Sequence, residues 1–292
     1  MIPLLAAALS VALSLPAAAQ TLASEAFAAA ARPTSGPAHA IGGYSRGCAT
    51  GLQPLAETGP TWQVMRTSRN RNWGQPETIR FLQDLSVAAT KVGWRGIYIG
   101  DIAQPRGGPA PSGHASHQTG LDADVWLRPP TSLTLSRAAR EDLPFVSVRT
   151  ADQREVNANW TPAHQALLRA AASDPRVDRI FVAAAIKIAM CRTATPADTP
   201  WLQKIRPEVG HDSHFHVRLK CPAGDTLCET QTPTVAELSK GGNGCDATLQ
   251  WWVTDFLEPP AADGPAAPAR KHPRQYTLAD LPAQCSDVLR AR

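Results

Sequence analysis

Two short histidine-rich segments constrain the fold of this chain more than any other feature of its sequence. The first spans residues 112–124 and the second residues 211–216, and together they contain five of the eight histidines. Residues 125–210 lie between them. If both segments contribute to one site, the intervening chain must return to that site. We therefore expect one domain that contains both segments, rather than two separate domains.

The composition supports one sizeable domain and excludes several protein classes. The chain has 292 residues, 43% of them hydrophobic, which is enough for a core and excludes wholesale disorder. The 20 glycines follow no period, which excludes a collagen-like fold. The 26 prolines and 6 cysteines predict many loops held by cross-links. The scattered net charge of +4 is compatible with an anionic polymer as partner, but we expect no binding to nucleic acid.

The N-terminal residues predict export from the cytoplasm. An apolar run over residues 2–15 has no charged side chain and leads to Pro-Ala-Ala-Ala. This pattern is typical of a signal peptide, so we expect residues 1–19 to be removed by cleavage after Ala19. A retained anchor or a buried helix is the alternative, but the run is short for a membrane span of about 20 residues. Residues 20–40 predict a flexible mature N-terminus, followed by a single domain over residues 41–292 without stable membrane insertion.

The six cysteines of an exported chain predict disulfide bonds, because the compartment outside the cytoplasm is oxidising. Their spacing alone leaves many pairings open. Cys221 and Cys228 enclose a short loop with Pro and Gly, and Cys48 and Cys285 lie near opposite ends of the chain. Buried free thiols are the alternative. We predict the bridges Cys48–Cys285, Cys191–Cys245 and Cys221–Cys228.

Hydrophobic periodicity predicts a mixture of helices and strands. The best helix pattern covers residues 76–92, with Pro76 in the first turn, one apolar face and Gly93 after its end. Further helices are predicted over residues 161–173 and 185–190. Strands are predicted over residues 61–66, 95–99, 121–127, 180–182 and 215–219. Because the elements mix without a βαβ rhythm, we predict an α+β fold, a central antiparallel sheet with flanking helices and disulfide-tied loops.

Strand alternation brings together the polar residues of each histidine-rich segment. His214 and His216 point to one side of their strand, and Asp122 and Asp124 share a side of theirs. The Gln-Thr-Gly turn after His117 can fold that residue back over the strand. A histidine and a carboxylate from one segment plus a histidine from the other give three ligands. Catalytic zinc has three such ligands and an open position for a water of lowered pKa.

These histidines could also have a role other than binding a catalytic metal. An HxH pair alone is a weak signal, and a structural metal or a simple binding site uses the same ligands. Five histidines with two aspartates in an exported chain nevertheless favour a metal site. The other three histidines stand alone, and we expect them at the surface: His39, His164 and His272.

Longer stretches of the sequence carry a resemblance to known zinc peptidases. GHASHQTGLDADVWL resembles the HxxxxxxD element, and GHDSHFHVRLKCP the HxH element, of the superfamily that contains D-Ala-D-Ala carboxypeptidases, lysostaphin-type endopeptidases and the Hedgehog signalling domain. GGYSRGC, VMRTSRNRNWGQPETIRFL, DRIFVAAAIK and WLQKIRP are similar to the penicillin-insensitive murein endopeptidase family. The likeness runs in order from about Ile41 to the C-terminus, and it implies a Hedgehog/DD-peptidase-like fold.

The resemblance implies a role for each matching residue. His117, Asp124 and His216 match the zinc ligands, which implies one Zn²⁺ per chain. His214 matches the general base of the family. His114 and His211 match two further active-site histidines, and we predict that His211 takes part in catalysis and His114 in substrate binding.

Other polar residues near these motifs are candidates for supporting roles. Arg66, Arg69 and Arg71 cluster beside Trp73 and can bind substrate by pairing with carboxylates of peptide stems. A solvated loop, or pairing with internal acids, is an equally good account of these arginines. Asp122 is expected to orient a ligand or a backbone group rather than to bind zinc.

The resemblance further implies a reaction and a location. It implies a periplasmic enzyme that hydrolyses the D-alanyl–meso-diaminopimelyl bond of cross-linked peptidoglycan, without a serine that a β-lactam can acylate. Two alternatives stay open. One is a D,D- or L,D-carboxypeptidase of the same superfamily, and the other is a zinc-containing module that binds the wall without catalysis. The sequence leaves the oligomeric state undetermined.

Overall fold

The computed structural model describes residues 21–259 and 271–291, and the predicted signal peptide at residues 1–19 lies outside them. Six strands form a central sheet, and two small two-stranded sheets flank it. The strands are β1 (His39–Gly43), β2 (Arg46–Thr50), β3 (Gln53–Pro54), β4 (Trp62–Val64), β5 (Trp73–Gly74), β6 (Ile97–Ile99), β7 (Asp122–Trp126), β8 (Val177–Val182), β9 (Ile205–Pro207) and β10 (His214–Leu219).

The central sheet is mixed, which corrects the prediction of an antiparallel sheet. Its strand order is β4-β6-β7-β10-β8-β9. The three inner pairings are antiparallel, whereas β4 with β6 and β8 with β9 are parallel. Parallel neighbours need a crossover connection, and helices supply it within residues 65–96 and 183–204. The chain is therefore α+β, with parallel pairing confined to the two edges.

Eight α-helices lie around the sheets in the part of the chain that the structure describes. They are α1 (Ala23–Ala28), α2 (Pro76–Lys91), α3 (Arg137–Asp142), α4 (Pro162–Ser173), α5 (Ala184–Cys191), α6 (Thr199–Leu202), α7 (Val235–Leu238) and α8 (Gln284–Arg290). Of these, α2, α4 and α5 place their apolar faces in the main core. In α2, Ile79, Leu82, Leu85 and Ala89 are buried, and Gly93 follows the end with a φ of +90°. None of the helices in the described ranges combines the length and apolar character needed to cross a bilayer.

The N-terminal segment differs from the expectation of a flexible stretch at residues 20–40. Residues 23–28 form α1, and Phe27 is fully buried in a small core with Ile41, Cys48 and Val288. Residues 39–43 form β1, which pairs with β2. The Ala-rich composition suggested flexibility, but α1 instead packs where both ends of the domain meet.

His164 also differs from its predicted surface position. Its side chain is only 1% exposed, at the start of α4. Its Nδ1 lies 3.1 Å from the backbone nitrogen of Thr161, and its Nε2 lies 2.8 Å from the carbonyl oxygen of Leu127. Both ring nitrogens are therefore satisfied by backbone groups, and His164 ties the helix to the chain just after β7.

Three disulfide bonds join the cysteine pairs that the sequence analysis chose. They link Cys48 to Cys285, Cys191 to Cys245 and Cys221 to Cys228, across sequence separations of 237, 54 and 7 residues. The Cys48–Cys285 bond connects β2 to α8 inside the small core that contains Phe27. It therefore closes a loop that contains nearly the whole domain.

Loss of the Cys48–Cys285 bond is expected to destabilise the protein more than loss of the Cys221–Cys228 bond. Chain-entropy estimates give about 5 kcal/mol for a loop of the first size and about 2–3 kcal/mol for the second. Urea unfolding of the two double Cys→Ser variants, at equal protein concentration, measures the difference. Equal midpoints for the two variants would contradict this prediction.

Candidate metal centre

The two central strands carry apolar residues on one face and polar residues on the other. Ala123 and Val125 of β7 pack in the main core with Phe215 and Val217 of β10. In the antiparallel pairing, Asp124 faces His216 and Asp122 faces Arg218. The polar face therefore gathers Asp122, Asp124, His214, His216 and Arg218.

His117 reaches this face through a tight turn. His117 and Gly120 both have left-handed backbones, with φ of +67° and +74°. The backbone nitrogen of His117 donates to Oδ2 of Asp122 at 3.0 Å. Its Nδ1 lies 2.7 Å from the carbonyl oxygen of Ile102, so Nδ1–H donates there and Nε2 faces Asp124. The turn predicted from Gln-Thr-Gly thus brings His117 over the strand.

Four side chains converge at one point of the polar face. His114, His117, Asp124 and His216 each offer one ligand atom, and these atoms lie within 4.8 Å of one another. From Oδ1 of Asp124, Nε2 of His117 is 3.4 Å away and Nδ1 of His216 is 3.6 Å away. Tetrahedral zinc with bonds of about 2.1 Å places its ligand atoms about 3.4 Å apart. The two distances from Asp124 therefore fit a zinc ion, and all the candidate ligand atoms are within reach of one ion.

The hydrogen bonding of the cluster supports the same interpretation. Oδ1 of Asp124 and Nε2 of His117 are buried and have no hydrogen-bond partner among the described residues. Burying polar atoms without partners is costly, and a bound cation removes that cost. The donor set of imidazole and carboxylate is also one that zinc prefers.

Two more histidines border the three best-spaced ligands. Nε2 of His214 is buried without a hydrogen-bond partner among the described residues and lies 3.7 Å from Oδ1 of Asp124. Nε2 of His114 lies 2.8 Å from the other carboxylate oxygen of Asp124. His211 is further out, with its ring centre 5.1 Å from that of His214 and 5.9 Å from that of His216. Four histidines of the two segments therefore surround Asp124, and His211 lies beside two of them.

Asp122 contacts two of the candidate ligands on the side away from Asp124 and holds them in position. Its Oδ1 is 3.0 Å from Nε2 of His216, which leaves Nδ1 of that ring toward Asp124. Arg218 donates from Nε to the same oxygen at 2.7 Å. Asp122 therefore contacts a candidate ligand and, through the backbone nitrogen of His117, fixes a second one.

All three arginines that are candidates for substrate binding contact protein groups, and two of them pair with an internal acid, which was the alternative prediction. Arg71 is buried and donates to Oδ2 of Asp101 at 2.8 Å and to the carbonyl oxygen of Ser112 at 2.9 Å. Arg69 also pairs with Asp101. Arg66 lies over the ring of Trp126, 5.7 Å from its centre. Arg71 thereby holds the loop that carries His114, and its acidic partner Asp101 lies 30 residues away in the chain.

The environment of the site favours the neutral form of most of the imidazoles, in which one ring nitrogen keeps a free electron pair. Burial lowers the pKa of His214, and it lowers the pKa of His216 to about 3 and that of His211 to about 4. Burial also disfavours charge on His117, but adjacent Asp124 outweighs it and raises the pKa of His117 to about 9. Burial opposes ionisation of Asp124 as well, yet the surrounding histidines hold its pKa well below its usual value.

Comparison with known proteins places the chain in a family. The sequence profile of the family described as penicillin-insensitive murein endopeptidase matches residues 40–290. The chain belongs to this peptidase family. A penicillin-insensitive murein endopeptidase of Haemophilus influenzae is 44% identical over 225 residues, which are 77% of this chain and 75% of that protein. One from Klebsiella pneumoniae is 38% identical over 277 residues, 95% of each chain. One from Yersinia enterocolitica is 39% identical over 248 residues, 85% of this chain and 88% of the relative.

The stretch matched by the murein endopeptidase family contains the whole site. Both histidine-rich segments and all three bridges lie within residues 40–290. The five histidines, Asp122 and Asp124 were predicted from the sequence, whereas Asp101, Arg218 and Val209 were not. Asp101 directly follows the buried strand ending Ile-Tyr-Ile-Gly, and Arg218 continues the alternation of His214 and His216. Those two signals were present, whereas Val209 has none.

Proposed function

We propose that this protein is a zinc-dependent murein endopeptidase that hydrolyses the D-alanyl–meso-diaminopimelyl cross-link of peptidoglycan. The observation that carries the proposal is the set of ligand-spaced atoms on His117, Asp124 and His216, with His214 beside them, in a chain of this peptidase family. The relatives are named for an action on murein, and we extend that action to this chain.

Three residues hold the metal in this proposal, one ion per chain. His117 binds through Nε2, His216 through Nδ1 and Asp124 through Oδ1, as their positions around a common point suggest. When bound, zinc supplies Lewis-acid activation of water and of the peptide carbonyl. The remaining steps fall to side chains of the polar face.

His214 is the proposed general base. Its Nε2 is buried, without a partner among the described residues, and points to the same oxygen of Asp124 as the ligand atoms do. A neutral imidazole in that position takes a proton from the attacking water and returns it to the leaving amine. No other proton carrier is required for both transfers.

His211 and His114 are proposed to contact the substrate or the reacting centre. His211 donates from Nδ1 to the carbonyl oxygen of Val209 at 2.7 Å, so the neutral ring offers Nε2 as an acceptor. An acceptor suits a substrate N–H, whereas stabilising an oxyanion requires the protonated ring. Both histidines line a hollow of about 440 Å³ that also contains Phe181, Val209 and His216.

Digestion of purified muropeptides tests the reaction against its two alternatives. Zinc-loaded protein is incubated with cross-linked dimers and, separately, with monomeric pentapeptides. The products are identified by mass spectrometry. Conversion of dimers to monomers supports the endopeptidase. Removal of only a terminal D-Ala supports the carboxypeptidase, and no product from either substrate, with retained wall binding, supports a non-catalytic module. A chelator arm tests whether any activity needs the metal.

Replacement of Asp122 by asparagine is expected to lower zinc affinity or activity about 10–100-fold. The neutral amide keeps the shape but weakens the contacts to His216 and Arg218. Competition with a fluorescent zinc chelator gives the affinity, and dimer cleavage gives the activity. Asp178→Asn is the matched control, because Asp178 pairs with Arg179 on the neighbouring strand β8. A variant with unchanged affinity and activity would remove Asp122 from this supporting role.

We also propose the location and organisation that the sequence predicts. The protein is exported by a signal peptide at residues 1–19 and acts in the periplasm as a single domain with a Hedgehog/DD-peptidase-like fold. The three disulfide bonds support an oxidising compartment. N-terminal sequencing of the secreted protein checks the cleavage after Ala19.

A further inference from the structure

A cluster of three aromatic side chains lies on the surface beside the proposed active site. Trp251, Trp252 and Phe256 contact one another, with ring centres 5.2–5.4 Å apart. Trp251 is 47% exposed and Phe256 is 38% exposed. Exposed apolar clusters of this kind usually mark a binding surface, because large aromatic rings gain most from being buried. We call these three residues the aromatic platform.

The platform is held rigidly although its rings face solvent. A 3₁₀-helix over Ala247–Val253 carries both tryptophans, and its Leu249 and Val253 are buried. The Cys191–Cys245 bond fixes the chain just before this helix to the end of α5. The backbone nitrogen of Phe256 donates to the carbonyl oxygen of Trp251 at 2.9 Å, which places the third ring against the other two. A rigid surface of this kind binds without a large ordering cost.

Two of the three platform residues adjoin the proposed active site. Trp252 and Phe256 line a hollow together with Glu208 and Val209, and these last two residues also line the hollow that holds His211 and His216. Val209 is 56% exposed, and its carbonyl oxygen accepts the hydrogen bond from His211. A polymer that places a bond beside His211 can therefore extend across Val209 onto the platform.

We infer that the aromatic platform binds the glycan strand of murein, by stacking its rings on the apolar faces of the amino sugars. This inference rests on the proposed function, since murein joins its peptide stems to such strands. The hollow supports a carbohydrate rather than a purely apolar partner, because Arg149, Gln153 and Glu208 border it and offer hydrogen bonds to hydroxyl and acetamido groups. The peptide cross-link then lies at the histidines while its attached sugar lies on the platform.

Substrates with and without sugar test the inference. The full-length wild type, Trp251→Ala and Trp251→Phe are compared on intact sacculi and on cross-linked peptide dimers from which an amidase has removed the glycan. We expect Trp251→Ala to lower kcat/KM on sacculi about three- to tenfold, because one aromatic contact is lost. Trp251→Phe keeps a ring and should retain most of the activity. Val87→Ala removes an equally exposed apolar group on α2 and is the matched control.

Each outcome of this comparison has a distinct meaning. A loss confined to sacculi supports the glycan site, and equal rates of wild type and Trp251→Ala on sacculi overturn it. If the wild-type protein cleaves neither sacculi nor peptide dimers, the proposed function itself is wrong. Tryptophan fluorescence of the wild type, titrated with chitotetraose, gives a readout independent of cleavage, and a signal that Trp251→Ala retains would contradict the assignment. If the wild type forms a dimer and Trp251→Ala does not, the platform binds a second copy of the chain and the glycan assignment is wrong.

Discussion

Replacement of Asp124 by asparagine is expected to abolish stoichiometric zinc binding and to lower dimer cleavage at least about 10³-fold. The metal supplies several kcal/mol of transition-state stabilisation, and each 1.4 kcal/mol is about tenfold in rate. Asparagine keeps the size of the side chain but removes the negative charge that four histidines surround. Zinc content by mass spectrometry and the rate of dimer cleavage are measured on the same preparation.

The control for this variant is Asp142→Asn, an identical chemical change at an exposed position at the end of α3. It should leave both zinc content and rate unchanged. Thermal melting of each variant with and without zinc separates loss of the ligand from loss of the fold, because a bound metal stabilises only the folded chain that can hold it. An Asp124→Asn protein with full zinc content and full activity would refute the ligand assignment.

Replacement of His214 by alanine is expected to lower kcat about 10²–10⁴-fold while zinc content stays at one per chain. The distinction matters because Nε2 of His214 lies almost as close to Asp124 as Nδ1 of His216 does, 3.7 Å against 3.6 Å. Geometry alone thus leaves two histidines of β10 at comparable distances. Replacing the general base leaves the metal bound, whereas replacing a ligand releases it.

The comparison of His214→Ala with His216→Ala assigns the two roles. We expect zinc to be lost only from the second variant, and activity to be lost from both. His39→Ala is the control, since His39 is exposed and remote from the cluster. If His214→Ala loses zinc and His216→Ala keeps it, the two roles must be exchanged.

Local sequence patterns predicted the elements that position the site. The periodicity of residues 76–92 gave α2 to within one residue, and alternation in FHVRL gave β10 apart from its first residue. The same alternation put His214 and His216 on one face, and Gln-Thr-Gly gave the turn at His117. These features depend on residues close together in the chain, so the sequence carries them directly.

Several features that depend on distant partners were not predicted. The parallel edge pairs depend on the crossover helices: β4 was predicted as a strand but not its direction, and the three-residue strand β9 was not predicted at all. His164 was expected at the surface because its partner, the carbonyl oxygen of Leu127, lies 37 residues away. For the arginines, substrate binding and pairing with an internal acid were equally good predictions, because Asp101 is separated from Arg71 by 30 residues.

Asp124 and His216 face each other across β7 and β10, so the proposed site depends on the register of these two strands. A slip of one residue between β7 and β10 would turn Asp124 into the core and bring Val125 to the polar face, so one error would damage both stability and catalysis. Selection for a packed core therefore maintains the ligand geometry as well. A single insertion inside either strand would separate Asp124 from His216, whereas loops of the connection that lie away from Glu208, Val209 and His211 can change length without altering the facing pair.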